Sequence, residues 1–268
     1  MKKIIRYLTV SIKYVFIKIT NKFLFPNGVK IIPSLESLDF FKIQYSNKTR
    51  RYLFRNQNKK IEKIIIDTSL FESELCLLGK KYETNKSSLN FNGLRSGFTG
   101  FYSLVFCSLR DKKINFAEIG IEKNASTKMW RKYFKKANIY LFEYDRIKIN
   151  NAKKNKLQKT FYSFIDVTNK KIIKESFKRI NKKFDIIIDD STHFFEHQLN
   201  IINNTFDFLK PGGLLIIEDI YKRYDEDNYN RALSSLKKKF KKIIFVEVYH
   251  SNNYTSSWKN EKLLVLIK

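Results

Sequence analysis

From residue 113 onward, short apolar runs alternate with helical patterns, and this alternation restricts the fold more than any other feature of the chain. The helical patterns include residues 125–137 and 193–209. Strands that alternate with helices predict a parallel sheet with right-handed crossovers. The apolar runs are INFAEIG, NIYLFEYD, TFYSFID, FDIIIDD and GLLIIEDI, at residues 114–120, 138–145, 160–166, 184–190 and 213–220.

The end of the chain departs from this rhythm. Residues 241–250 and 262–268 read as two strands, and the loop between them contains no helical pattern. Strands joined without a crossover helix run antiparallel. The sequence therefore predicts an α/β fold whose parallel sheet ends in an antiparallel pair at one edge.

Acidic side chains stand where several of the predicted strands end. In open parallel sheets, ligands bind beyond the carboxyl ends of the strands. Asp189 and Asp190 are adjacent, and His193 follows three residues later. Neighbouring carboxylates repel each other and lose hydration unless a cation or a donor compensates them, so this pair predicts a bound group. The acids at the four strand ends are Glu118, Glu143 with Asp145, Asp189 with Asp190, and Glu218 with Asp219.

The formal net charge of +27, from 53 Lys and Arg against 26 Asp and Glu, favours an anionic partner. The lysines are spread along most of the chain, with denser runs at residues 47–63 and 236–242. A solvated basic face and a polyanion-binding groove are both compatible with this pattern. The two cysteines, Cys76 and Cys107, form no C-x-x-C motif, which fits a reducing cytoplasm.

Residues 1–25 predict an amphipathic helix. Lys13 and Lys18 interrupt the apolar run, whereas a membrane-spanning helix needs about 20 uninterrupted apolar residues. Peripheral contact with the inner face of an anionic membrane and packing on its own domain both remain open. The apolar positions at three- and four-residue spacing are Ile5, Leu8, Ile12, Val15 and Ile19.

The turn after the first apolar run suits a cofactor without phosphates. It reads AEIGIEKNAS at residues 117–126, with Gly120 where the chain must leave the strand. It lacks the complete G-x-G-x-x-G that places a pyrophosphate at a helix N-terminus. Glu143 ends the next strand, where a carboxylate accepts hydrogen bonds from ribose hydroxyls.

With these features the chain resembles class I S-adenosylmethionine-dependent methyltransferases. Within that group it is most similar to the metal-dependent sugar O-methyltransferases, a group that includes macrolide-sugar methyltransferases and cephalosporin-hydroxylase-like proteins. The resemblance implies a Rossmann-like seven-stranded sheet with an antiparallel last strand and an N-terminal helical extension. It also implies an amphipathic segment at 1–25, an extension or cap at 26–110 and a catalytic domain at 111–268. The resemblance rests on residues 77–88, 116–145, 184–198 and 209–221.

The resemblance also implies roles for individual side chains. His193 would be the general base, acting with Asp190, and the Mg²⁺ ligands would be Asp190, Glu218 and Asp219. Two positions depart from the family pattern: Asn124 replaces a usual Gly, and Asn85 replaces the Asp of Thr-Asp-Lys. The implied S-adenosylmethionine-binding residues are Thr84, Lys86, Glu118, Gly120, Ser126, Glu143, Asp166 and Asp189.

The function predicted from the sequence is Mg²⁺-assisted O-methylation of a sugar, a sugar nucleotide or a bacterial surface glycan, including phosphate-linked or phosphoramidate-type groups on it. A nucleic-acid methyltransferase is an alternative, although DDST stands where amino-methylating DNA enzymes carry an Asp/Asn-Pro-Pro-aromatic element. A non-catalytic membrane-associated scaffold is the other alternative, and the acids and His193 disfavour it. The predicted location is cytoplasmic, with peripheral membrane contact and homo-oligomerisation both open.

Overall fold

A computed structural model describes residues 61–221, 226–255 and 262–268. The predicted amphipathic segment at 1–25 and residues 26–60 of the predicted extension lie outside the described residues. Lys60–Lys268 form one compact unit.

The described residues form an eight-stranded sheet in the order β1-β7-β8-β6-β5-β2-β3-β4. Strand β8 runs antiparallel to both of its neighbours, β6 and β7, whereas the remaining pairs of neighbours are parallel. This arrangement confirms the predicted Rossmann-like sheet with an antiparallel last strand. The strands are β1 Glu62–Asp67, β2 Asn115–Ile119, β3 Asn138–Glu143, β4 Thr160–Phe164, β5 Phe184–Asp189, β6 Leu209–Ile217, β7 Lys242–Tyr249 and β8 Lys262–Ile267.

Strand β1 was not predicted, and its presence corrects the expected position of the antiparallel pair. It lies parallel to β7 and forms the outer edge of the sheet, so β7 and β8 lie inside the sheet. Five of its six residues are exposed and only Ile66 is half-buried, so its sequence lacks the buried run that marked β2, β3 and β5. Strand β6 also begins before the expected residue 213, with a register shift against β5.

Several helices begin directly after a strand or loop, at a residue whose side chain caps the helix N-terminus. The Asp145 side chain accepts hydrogen bonds from the backbone N–H groups of Ile147 and Lys148, and Asn169 caps its helix in the same way. No described helix is long and apolar enough to span a bilayer. The helices are α1 Glu74–Lys81, α2 Phe98–Phe106, α3 Ala125–Tyr133, α4 Arg146–Lys153, α5 Lys170–Ile180, α6 Phe195–Thr205 and α7 Glu226–Ala232.

Both faces of the central strands of the sheet are buried. Successive strand residues point to opposite faces, so Ile186 packs with the cluster that contains Trp130 of α3, while Ile187 packs with Phe177 of α5. Strands buried on both sides read as continuous apolar runs, which explains why β2, β3 and β5 were recognisable from sequence. Because the faces of these strands are covered, a ligand can reach the sheet only at the ends of the strands, and a site can form at their carboxyl ends.

Phe177 anchors α5 to the sheet, and we expect its loss to be costly. Its ring is fully buried and stacks on Phe142 at a centroid distance of 4.5 Å. Phe177→Ala should lower the free energy of unfolding by about 3–5 kcal/mol, measured by urea denaturation. Lys174→Ala, on the exposed face of the same helix, is the control and should stay within about 0.5 kcal/mol of the wild type. Equal effects of the two substitutions would contradict this packing.

Candidate active site

The carboxyl ends of the parallel strands open into one cleft. Ile119 at the end of β2 pairs with Asp189 at the end of β5, and Asp189 pairs with Ile217 of β6. The cleft has a volume of about 960 Å³ and is lined by the turns that follow β2, β3, β4 and β5. Residues between Glu83 and Leu94 form its opposite wall.

Gly120 allows the turn after β2 to approach the turn after β5. Its φ of +92° lies in the region that side chains disfavour, and a Cβ at this position would lie 2.1 Å from the backbone oxygen of Asp190. The Asp190 N–H in turn donates to the Ile119 oxygen at 2.9 Å. A glycine is therefore required here for both conformation and space.

Glu143 fixes two of the turns at the cleft. Its Oε2 accepts a hydrogen bond from the Ile121 N–H at 3.1 Å, and its Oε1 accepts from the N–H groups of Tyr144 and Asp145 at 2.9 and 3.0 Å. A carboxylate offers about four acceptor positions, so one remains for a ligand hydroxyl.

The structure divides the eight residues predicted to bind the cofactor into two groups. Lys86, Glu118 and Asp189 are buried, and they are not among the described residues that line the cleft. The residues that do line it are Thr84, Gly120, Ser126, Glu143 and Asp166.

Lys86 lies at the centre of a buried charge cluster that also contains Glu118, Asp190 and Glu218. Its Nζ lies 2.5 Å from Asp190 Oδ2, 2.6 Å from Glu218 Oε2 and 3.6 Å from Glu118 Oε1. Only 1% of the Lys86 side chain is exposed. Burial lowers the pKa of Lys86, but the three carboxylates raise it more, so its pKa is well above the usual value and the ammonium stays charged.

Neutral donors complete the buried charge cluster. The Tyr102 hydroxyl donates to Glu218 Oε1 at 2.6 Å, and Glu118 accepts from Ser126 Oγ at 2.8 Å and from Trp130 Nε1 at 3.0 Å. Burial raises the pKa values of Glu118 and Glu218, and the Lys86 ammonium opposes that rise. Buried carboxylates are tolerated when they are paired and hydrogen-bonded, as both are here.

An outer triad of Asp190, His193 and Asp219 borders this cluster. His193 Nε2 lies 3.6 Å from Asp219 Oδ2 and 4.0 Å from Asp190 Oδ1. One donor atom from each residue lies within 4.8 Å of the other two, so two carboxylates and an imidazole fit around a divalent cation. Glu218, which the resemblance gave as a metal ligand, contacts Lys86 and Tyr102.

The His193 imidazole is half-buried, with 22% of its side chain exposed. Burial lowers its pKa, while the Asp190 carboxylate partly opposes this change. Among the described residues, its Nδ1 is buried and has no hydrogen-bond partner. The ring is therefore neutral near pH 7 and able to accept a proton or bind a metal.

Two residues of the outer triad have strained backbone conformations. His193 and Asp219 have φ values of 59° and 54°, which non-glycine residues rarely adopt. Asn124, which replaces a usual glycine, has a φ of 64° and precedes α3. Asparagine tolerates this conformation better than most residues, as expected from the sequence. Such residues persist where the surrounding structure over-determines them, often at functional sites.

Sequence reasoning missed Tyr102 and most of the wall opposite the strand ends, of which Thr84 was predicted. An aromatic residue within an apolar helix reads as core, and its partner Glu218 is 116 positions away. The wall is held by Arg95, whose guanidinium lies 5.2 and 5.3 Å from the ring centroids of Phe91 and Tyr254. The backbones of Arg95 and Tyr254 also exchange hydrogen bonds of 2.8 and 3.0 Å. No local signal in the sequence joins these distant segments.

Gly120→Ala tests the close approach of the two turns. The left-handed backbone should cost about 1–2 kcal/mol for alanine, and the clash with Asp190 should add about 1–3 kcal/mol, measured by urea unfolding. Gly212→Ala is the matched control, because φ is +74° there and a Cβ would meet nothing within 4 Å. Gly212→Ala should show only the cost of the left-handed backbone. Equal losses of unfolding free energy at the two positions would refute the predicted contact between Gly120 and Asp190.

The pH dependence of stability tests whether the Asp189 carboxyl is buried. Burial raises its pKa to about 7, while Ser191 donates to it from Oγ at 2.6 Å. Since the unfolded pKa is about 4, the unfolded chain loses this proton first, and stability falls as pH rises from about 4 to 7. In metal-free protein, Asp189→Asn should gain on the order of 3–4 kcal/mol relative to wild type across that window. Parallel stability profiles of the two proteins would show that the carboxyl is not desolvated.

Comparison with known proteins identifies a family model and relatives that match this chain. A family model described as a methyltransferase domain matches residues 123–262, about half of the chain. The chain is 27% identical over 157 residues to L-olivosyl-oleandolide 3-O-methyltransferase of Streptomyces antibioticus, covering 55% of this chain and 37% of that protein. It is 28% identical over 152 residues to demethylmacrocin O-methyltransferase of Streptomyces fradiae, covering 52% of this chain and 37% of that protein. The chain thus spans little more than a third of the length of these relatives.

A solved structure shares the fold. The MycE methyltransferase of the mycinamycin biosynthetic pathway, in complex with Mg, SAH and mycinamycin VI, superposes with a TM-score of 0.54 at 20% identity, covering 73% of this chain and 54% of that chain. The sheet order, the cleft at the strand ends and the matched family model agree, and the chain belongs to the methyltransferase-domain family.

Proposed function

We propose that this chain is an S-adenosylmethionine-dependent O-methyltransferase that acts, with a divalent cation, on a sugar hydroxyl. The observation that carries the proposal is the arrangement of the cleft. Gly120 and Glu143 line it at the ends of β2 and β3, and Asp190 and His193 of the outer triad line it after β5. A cofactor pocket and a group able to take a proton therefore share one cavity.

The cofactor side of the cleft suits a nucleoside that carries no phosphate. Glu143 has an acceptor position left for a ribose hydroxyl, and Asp166 lines the cleft beyond it. Ser126, after the Gly120 turn, and Thr84, in the opposite wall, line the cleft as well. The MycE structure is a complex with SAH, which supports S-adenosylmethionine as the methyl donor here.

The outer triad would hold Mg²⁺ through Asp190 and Asp219. A cation bound there would lower the pKa of an acceptor hydroxyl, and the methyl donor would supply an electrophilic methyl group. His193 would accept the hydroxyl proton on Nε2, since its lowered pKa keeps the imidazole neutral. The carboxylates of Asp190 and Asp219 would then stabilise the imidazolium, because each lies within 4.0 Å of Nε2.

The acceptor class follows from the relatives and the charge. The names of the curated relatives describe O-methylation of sugar-bearing compounds, which supports a sugar acceptor. The net charge of +27 further favours a phosphate-bearing sugar, such as a sugar nucleotide or a bacterial surface glycan. Peripheral membrane contact through residues 1–25 remains a sequence-based prediction.

Calorimetric titration with S-adenosylhomocysteine, with and without Mg²⁺, tests the proposal first. We expect micromolar affinity, followed by transfer of labelled methyl groups to sugar nucleotides or glycosides and not to RNA. Absence of binding under both conditions would refute the methyltransferase assignment. Transfer to RNA alone, with strong salt dependence, would instead favour a nucleic-acid substrate.

Asp190→Asn and His193→Gln should each lower kcat by about 10²–10⁴-fold, because Asp190 would hold the cation and His193 would accept the hydroxyl proton. Affinity for S-adenosylhomocysteine should stay within about twofold, since neither residue is assigned to the cofactor. His197→Gln is the control: this histidine contacts Thr192 Oγ at 2.8 Å and is not among the described residues that line the cleft. Loss of cofactor binding in both active-site variants would contradict the assigned roles.

A further inference from the structure

The two carboxylate oxygens of Asp190 face different surroundings. Oδ2 accepts a hydrogen bond from Lys86 Nζ at 2.5 Å, inside the buried charge cluster. Oδ1 lies toward the cleft, 4.0 Å from His193 Nε2. Asp190 therefore belongs to both the buried charge cluster and the outer triad, with 19% of its side chain exposed.

We propose that Lys86 is a positioning residue for the cation site. By holding Oδ2 inward, its ammonium presents Oδ1 of Asp190 to the outer triad in one fixed orientation. This inference rests on the proposed function, because it concerns the cation that Asp190 and Asp219 would hold. It assigns Lys86 a role different from the cofactor contact that the family resemblance implied.

Lys86 is itself held firmly enough to do this. Its backbone oxygen accepts from the Thr99 N–H at 3.0 Å, at the start of α2, and its Nζ is fixed from a second side by Glu218 at 2.6 Å. Glu218 is fixed in turn by the Tyr102 hydroxyl. A 1% exposed ammonium between two carboxylates has no freedom to move to another partner. Asp190 thus binds to a rigid donor.

The location of Lys86 argues against direct contact with the cofactor. Its neighbours Thr84 and Asn85 are among the residues of the cleft wall, whereas Lys86 is not among the described residues that line the cleft. Its side chain points instead to the carboxylates that follow β5 and β6. A substitution at Lys86 should therefore reach the ligand only through Asp190.

The charge of Lys86 and its hydrogen bond to Asp190 predict opposite effects on cation binding, which makes the proposal testable. A positive charge beside Asp190 repels a cation, so removing that charge should by itself tighten binding. Losing the fixed orientation of Asp190 should weaken binding. A double substitution separates the two effects, because Lys86→Met with Glu218→Gln removes one positive and one negative charge and leaves the net charge of the cluster unchanged.

The experiment measures Mg²⁺ and Mn²⁺ affinity by calorimetry, and S-adenosylhomocysteine affinity in parallel. The proteins are the full-length wild type, Lys86→Met, and the double variant Lys86→Met/Glu218→Gln. Lys123→Met serves as the matched control, since Lys123 is an exposed residue at the cleft and its loss removes a positive charge without touching Asp190. Thermal unfolding confirms that each variant is folded.

We expect the double variant to bind either cation at least tenfold more weakly while its S-adenosylhomocysteine affinity stays within twofold of wild type. Unchanged or tighter cation binding would overturn the proposal, as would loss of S-adenosylhomocysteine binding with cation binding intact. A wild type that binds S-adenosylhomocysteine but no cation would overturn the positioning role alone. A wild type that binds neither would overturn the proposed function itself.

Tyr102→Phe keeps the test decisive if both Lys86 variants fail to fold. It deletes one hydroxyl and no charge, and it removes the hydrogen bond from Tyr102 that helps to hold the Glu218 carboxylate beside Lys86. About threefold weaker cation binding, with the S-adenosylhomocysteine affinity unchanged, would support the proposal. Cation affinity equal to that of the wild type would overturn it.

Discussion

The buried ammonium of Lys86 is the interaction on which the rest of the site depends. Strands β2, β5 and β6 bring Glu118, Asp190 and Glu218 to one place, where three carboxylates without a counter-charge would repel one another. Lys86 supplies that charge from a segment outside the sheet. Removing one member of a buried pair generally leaves an uncompensated charge, and that is strongly destabilising. The cluster therefore joins the segment before α2 to the strand ends and shapes the cleft between them.

Neighbouring acids at the strand ends serve different purposes because the chain turns there. Asp189 is buried and binds Ser191, whereas Asp190 faces the cleft. Glu218 and Asp219 divide in the same way, one toward Lys86 and the other toward His193. The sequence shows each pair as two equal carboxylates. Only the three-dimensional arrangement separates the residue that supports the site from the residue that borders it.

Much of the fold could be predicted from the sequence, and the reason is burial. Strands β2, β3 and β5 and the second half of β6 are covered on both faces and so read as apolar runs, while Gly120 and Glu143 were placed in the site by their positions at strand ends. Strand β1 escaped prediction because it is mostly exposed. The ion pairs of Lys86 were not predicted either, since its partners Asp190 and Glu218 lie 104 and 132 positions away. Pairings at such separation leave no periodic pattern.

The part of the wall between Leu89 and Leu94 contains no member of the buried charge cluster, and this has a consequence for how the cleft could diversify. Both ends of the wall are pinned, by the hydrogen bond from Ser96 N–H to the Asn85 oxygen and by the Arg95–Tyr254 bridge. Insertions or deletions between Leu89 and Leu94 would alter the width of the cleft without moving the strand ends. The width of the cleft and the outer triad are thus encoded in separate stretches of the chain, and loop grafting offers a direct way to change the former.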